Sequence, residues 1–230
     1  MSELTKDTLL GAMPDLTDEQ IDKFVIYYNL LVDWNTRVNL TRITEPSDVA
    51  EKHFADSILG AGLIPHGARA ADVGTGAGFP GIPLKIVRPD IELVLIDSLG
   101  KRINFLREVC SAVGINALAV HARAEDAARQ PELRESFDIA LSRAVAPMNI
   151  LLELTVPFVK VGGASLMYKG ASVSDEISAA ANAFKTLSCR PVVHEYGVSW
   201  GARSIVAAEK LMPTGKKYPR KAGFVEKAPL

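Results

Sequence analysis

The chain has 230 residues, 48% hydrophobic and 23% charged, a globular composition that excludes general disorder and predicts one sizeable α/β domain plus an extension. No apolar run reaches the roughly 18 residues that cross a bilayer, and the start, MSELTKDTLLGAMPDL, lacks a basic stretch before an apolar one, so neither a membrane span nor a secretory signal is expected. The net charge of −1 speaks against binding a polyanion through the overall field, yet Gly201 to Leu230 carry seven Lys/Arg against two acids, +5 locally and −6 on the rest.

In chain order, DLTDEQIDKFVIYYNLLVDWN predicts an amphipathic helix, with Ile21, Phe24, Val25, Tyr28, Leu31 and Val32 on one face. Thr17 and Gln20 form a capping box at its start. A second helix runs through PSDVAEKHFADSILGAG, capped by Ser47 and stopped near Gly60 or Gly62. The rhythm then becomes alternating. ARAADV, IELVLID, NALAVH, FDIALSRA and GGASLMYKG read as strands, separated by helices in PGIPLKIV, KRINFLREVCSAVG and ILLELTVPFV. After a further helix in SDEISAAANAFKTL, PVVHEYGV and ARSIVAAEK form a terminal antiparallel pair. This series predicts a doubly wound, mostly parallel seven-stranded α/β sheet. The expected units are a helical extension over 1–66, a sheet domain over 67–211 and a basic tail over 212–230. Cys110 and Cys189 lie far apart and outside metal-type spacing, so a reducing cytoplasm and no metal are expected.

The segment ADVGTGAGFPGIPLKI places Gly74, Gly76, Gly78 and Gly81 in the first strand-to-helix loop, where a parallel sheet binds its ligand. Glycines there allow positive φ and leave no Cβ between backbone and ligand. Gly76, Gly78 and Gly81 with Asp97 about 20 residues on fit a nucleoside-cofactor fingerprint, which alone serves NAD or S-adenosyl-L-methionine. Asp72 favours the second, because a carboxylate suits a charged amino-acid end better than a pyrophosphate. Glu125, after the third strand, is placed to reach an adenine edge. The bland alternatives are caps, Asp72 on the loop and Asp97 on the helix from Leu99.

The blocks DVGTGAGFPGIPLKI, DSLGKRINFL, SRAVAP, KHFADS and PTGKKYPRKAG together resemble the bacterial RsmG family, also called glucose-inhibited division protein B. The resemblance extends from WNTRVNLT to the basic end. It implies a Rossmann-like class I methyltransferase that uses S-adenosyl-L-methionine on N7 of one guanine in 16S rRNA of the small ribosomal subunit. Carried over by motif, the cofactor contacts fall on Gly74, Phe79, Ala124, Glu125 and Arg143, with Asp97 on the ribose. Asp72, Gly76 and Gly78 complete the expected cofactor loop. A cytoplasmic monomer is expected.

Guanine N7 has a free lone pair and no proton, so transfer needs alignment rather than a general base. No residue is therefore assigned as acid or base. Arg143 and Lys169, at the ends of the fourth and fifth strands, are the positioning candidates. His53 and Asp56 are read as a pair fastening the extension to the core, and Asn39 as a turn former. Lys216, Lys217, Arg220 and Lys221, extended by Arg203 and Lys210, are the expected RNA contacts; a solvated end is the alternative. Two rivals remain at this point: an NAD-dependent oxidoreductase, for which the loops offer no proton-handling residue, and a non-catalytic ribosome-binding module.

Overall fold

The apolar runs at 69–73, 92–97, 117–121, 137–143 and 159–169 each lack helical spacing and form neighbouring strands. The computed structural model describes residues 3–171 and 173–230. Its single sheet holds β1 (Arg69–Val73), β2 (Glu92–Asp97), β3 (Ala117–His121), β4 (Phe137–Arg143), β5 (Val159–Lys169), β6 (Cys189–Val198) and β7 (Gly201–Lys210) in the order β3-β2-β1-β4-β5-β7-β6. The first five strands pair in parallel, and β7 enters antiparallel between β5 and β6. Strand order reverses between β1 and β4, which opens a crevice at their carboxyl ends. Ala70 and Ala71, small for a central strand, are fully buried.

Helices α1 (Lys6–Ala12) and α2 (Asp18–Asn35) precede a continuous helical stretch made of α3 (Pro46–Val49), a π-helical segment (Ala50–Ala55) and α4 (Asp56–Ile58). The Thr17–Gln20 capping box is present. The second helix departs from expectation: Pro46 occupies its first turn, and Glu45 rather than Ser47 is its cap residue. Proline there costs little because that N–H has no helical partner. Alternating with the strands come α5 (Gly81–Val87), α6 (Gly100–Ala112), α7 (Ala124–Ala127) and α8 (Met148–Thr155). The helix expected before the last strands is divided into α9 (Ser174–Ala179) and α10 (Ala181–Thr186), and α11 (Phe224–Lys227) lies in the tail.

The three expected units share their cores. Leu9, Phe24, Tyr27 and Phe54 of the extension pack in one cluster with Phe105, Leu141 and Tyr168 of the sheet domain. Tyr218 of the tail packs with Met148 and Leu152 of α8. Burial raises the thiols of Cys110 and Cys189 to about 11 and about 12, which keeps both unreactive. Among the described residues no helix is long and apolar enough to cross a membrane, and no group of three or more His, Cys, Asp or Glu could hold a metal ion.

Candidate active site

The glycine loop between β1 and α5 is organised by Asp72. Its Oδ2 accepts from Thr75 Oγ1 at 2.6 Å and from the Gly81 amide at 2.9 Å, while Oδ1 is buried without a partner among the described residues. Burial, reinforced by Asp97, outweighs these hydrogen bonds and raises the Asp72 carboxyl to about 6. Gly74 and Gly78 have φ of 69° and 96°; an added Cβ would lie 2.9 Å from Val145 and 2.6 Å from Ile82, so side chains are excluded twice over. The Tyr27 hydroxyl donates to the Ala77 carbonyl and ties α2 to the loop.

Beside this loop lies a cavity of about 260 Å³ lined by Gly74, Asp97, Ala124 and Glu125, four of the expected cofactor contacts. Asp97 Oδ2 accepts from the Gly76 amide and Oδ1 from the Leu99 amide, both at 2.9 Å, so it shapes two loops as well as the cavity wall. Glu125 is almost fully buried, with Arg123 at 3.6 Å. Sequence reasoning missed Arg102, Val145, Leu154 and Glu226, which complete this wall. Arg102 and Val145 lie inside the DSLGKRINFL and SRAVAP blocks but were not singled out there, and Glu226 arrives from the far end of the chain.

Arg143 and Phe79 are placed elsewhere than expected. Arg143 Nη1 donates to Asp56 Oδ2 at 2.9 Å and Nη2 to His53 Nδ1 at 3.2 Å; its guanidinium lies 4.9 Å from the Phe79 ring centroid. Phe79 stacks on His53 with centroids 4.5 Å apart. Both residues join the extension to the sheet rather than lining the 260 Å³ cavity. Because a guanidinium only donates, His53 Nδ1 must accept, which assigns the ring proton to Nε2, donating to Thr41 Oγ1 at 2.7 Å. Burial and Arg143 lower His53 to about 4, so the ring is neutral at pH 7. The His53–Asp56 pair is thus a fastening, joined through Arg143. In the segment after α2, Asn35 Oδ1 accepts from the Leu40 and Thr41 amides at 2.8 and 2.9 Å.

Asp56 also accepts from Arg203 Nε at 2.7 Å and Trp200 Nε1 at 3.3 Å. Arg203 thus gives its Nε to an internal acid while its side chain stays partly exposed. A second cavity, about 430 Å³, is bounded by Asp56, Arg143, Tyr168, Lys169 and Arg203, and shares Ala144 with the first. Ala144 has φ of 56°, a strained value for alanine, at the seam between them. Lys169 is not a free cation there, since its Nζ donates to Glu176 at 2.6 Å and to the Ala146 carbonyl at 3.3 Å.

The expected RNA contacts divide sharply. Lys216, Lys217 and Lys221 are exposed. Lys210 is wholly buried, donating to Glu135 at 2.6 Å and to the carbonyls of Val156 and Val159, so it cannot reach RNA. Its position on β7 made it look like part of a basic surface, but at the end of that strand the side chain turns inward. Arg220 is likewise held inward by buried Glu153. Lys210→Met is expected to cost about 2–4 kcal/mol in urea unfolding while leaving the salt dependence of RNA binding unchanged. Replacing Lys216, Lys217 and Lys221 together with alanine is expected to do the reverse, lowering the log–log salt slope by about 2 to 3.

Comparison with known proteins agrees with this geometry. Residues 20–200 match the family model described as rRNA small subunit methyltransferase G. The chain is 45% identical to ribosomal RNA small subunit methyltransferase G of Clostridium botulinum, covering 94% of this chain and 93% of that one. It is 42% identical to the protein of the same name from Alkaliphilus oremlandii, covering 100% and 99%. The crystal structure of a putative O-methyltransferase from Klebsiella pneumoniae shares the fold, with a TM-score of 0.58 at 12% identity over 91% of this chain and 97% of that one. The chain belongs to the rRNA small subunit methyltransferase G family.

Proposed function

We propose that the protein methylates N7 of a specific guanine in 16S rRNA of the small ribosomal subunit, using S-adenosyl-L-methionine, as a cytoplasmic monomer. The observation that carries this reading is the 260 Å³ cavity at the strand-order reversal, walled by two buried carboxylates and the side-chain-free Gly74 in a chain of this family. Its donor set fits the cofactor: Asp97 and Glu125 offer acceptors to the ribose hydroxyls and the adenine amino group, and the buried, partnerless Asp72 Oδ1 gives the loop a negative potential suited to a cation. When bound, the cofactor supplies an electrophilic methyl group on its sulfonium.

The protein's part is then alignment. Gly74 and Ala124 fix the cofactor edge, and the 430 Å³ cavity, joined to the first at Ala144, receives the target base. Arg143 shapes that cavity from behind through Asp56, His53 and Phe79. Neutral His53 has its Nδ1 lone pair engaged by Arg143, in keeping with a reaction that requires no base. Lys216, Lys217 and Lys221 supply phosphate contacts.

Tritium transfer from labelled S-adenosyl-L-methionine to 30S subunits lacking the modification, followed by borohydride–aniline scission, tests the whole reading. The expected result is incorporated label with one strand break, because N7 methylation weakens the glycosidic bond. Label without scission would discard N7, and no label would discard the reaction.

A further inference from the structure

The basic tail is docked on the body by partners that sequence reasoning had no means of assigning to it. Glu153, on α8, has no exposed surface and holds Arg220 through both carboxylate oxygens: Nε to Oε1 at 2.9 Å, Nη2 to Oε2 at 2.6 Å, and the Arg220 amide to Oε1 at 2.6 Å. Arg134 donates to the carbonyls of Thr214 and Tyr218, both at 2.9 Å, and Arg129 to that of Pro219. Tyr218 and Val225 are buried. A buried ion pair adds little to stability against an apolar replacement, so this arrangement is better suited to placing the segment than to strengthening the fold.

What it places is α11. From there Glu226 lines the 260 Å³ cavity along with Asp97 and Glu125, as does Leu154, next to Glu153 on α8. We propose that the docked tail is a wall of the cofactor cavity, with Glu226 a third carboxylate that accepts from the hydroxyl or amino donors of an adenosyl ligand. Tail docking and cofactor binding are then thermodynamically linked, each favouring the other by the same factor. The division of the tail's cations follows from this arrangement. Arg220 faces inward to hold the wall, and Lys216, Lys217 and Lys221 face outward and stay available to RNA.

This inference rests on the cofactor assignment above, and the test separates the two. S-adenosylhomocysteine binding is measured by calorimetry for the unaltered protein, for Glu226→Ala at an exposed position, and for the Glu153→Met/Arg220→Met pair, which leaves no buried charge unpartnered. Amide exchange of residues 218–227 is followed with and without the same ligand. Glu226→Ala, which removes the acceptor, is expected to weaken binding about fivefold, the worth of one hydrogen bond, and the pair tenfold or more. Ligand is expected to slow exchange across 218–227. Unchanged affinity in Glu226→Ala, or exchange in the tail indifferent to ligand, overturns the proposal even if the double variant fails to fold. Absence of binding by the unaltered protein overturns the cofactor assignment with it.

Discussion

Asp56→Ala is expected to lose about 3–5 kcal/mol of folding stability. Asp56 is 6% exposed and accepts from three side chains on two segments: Arg143 at the end of β4, and Trp200 and Arg203 of the β6–β7 hairpin. Removing it leaves two guanidiniums close together with no counter-charge, one of them only 13% exposed in its side chain. Repulsion and lost solvation then act in the same direction, which an exposed ion pair of less than about 1 kcal/mol would not produce. The damage is also directional. The stretch from α3 to α4 is held to the sheet rim by Asp56–Arg143, by His53–Arg143 and by the Tyr168 hydroxyl donating to the Ser57 carbonyl at 2.8 Å. With the first two contacts disturbed, the 430 Å³ cavity loses its floor, so methyl transfer falls further than cofactor affinity. Urea unfolding followed by tryptophan emission, with cofactor calorimetry alongside, checks both parts. A loss below about 1 kcal/mol would count against Asp56 as the junction.

How far these features could be read from the sequence depends on whether their partners were near in the chain. The alternation of strands and helices, the Thr17 capping box and the glycine loop are all set within a few residues, and the fold followed from them. Gly74, Asp97 and Glu125 were legible because each lies at or just past a strand end, and Ala124 through the family resemblance. What could not be read was the choice of partner across long separations. Arg143 and Arg203 are both plausible ligands for an anion, and only the three-dimensional junction shows that Asp56 holds them. Lys210 and Arg220 lie in a basic stretch that looks solvated throughout, yet Glu135 and Glu153 draw these two inward and leave Lys216, Lys217 and Lys221 outside. Charge patterning reveals where cations cluster along the chain, not which of them find buried acids.

Acidification is expected to separate Asp72→Asn from His53→Gln in opposite directions. Asp72 has a folded value of about 6 against 3.8, so the native state binds the extra proton and this group's contribution to stability is lost as pH rises through 6. His53 has a folded value of about 4 against 6.5, so its contribution is present above 6.5 and lost as pH falls through 4. Each shift of roughly two units corresponds to about 3 kcal/mol, and the windows overlap between pH 4 and 6. In the unaltered chain the two slopes largely cancel there. Asp72→Asn keeps an acceptor for Thr75 and the Gly81 amide but no longer titrates, so the His53 slope stands alone and stability falls on acidification. His53→Gln leaves the Asp72 slope, and stability rises toward pH 4 relative to the unaltered chain. Carboxylates held below their ordinary range by ion pairs, among them Asp138 and Glu135, add acid sensitivity common to all three proteins, so the difference between urea midpoints at pH 4, 5, 6 and 7 isolates the two groups. Parallel profiles for all three proteins would mean that neither group is perturbed. The same charge bears on the cofactor. At pH 8, where Asp72 is ionised, Asp72→Asn is expected to weaken S-adenosyl-L-methionine more than its neutral product, because only the former carries the sulfonium charge that a buried carboxylate favours.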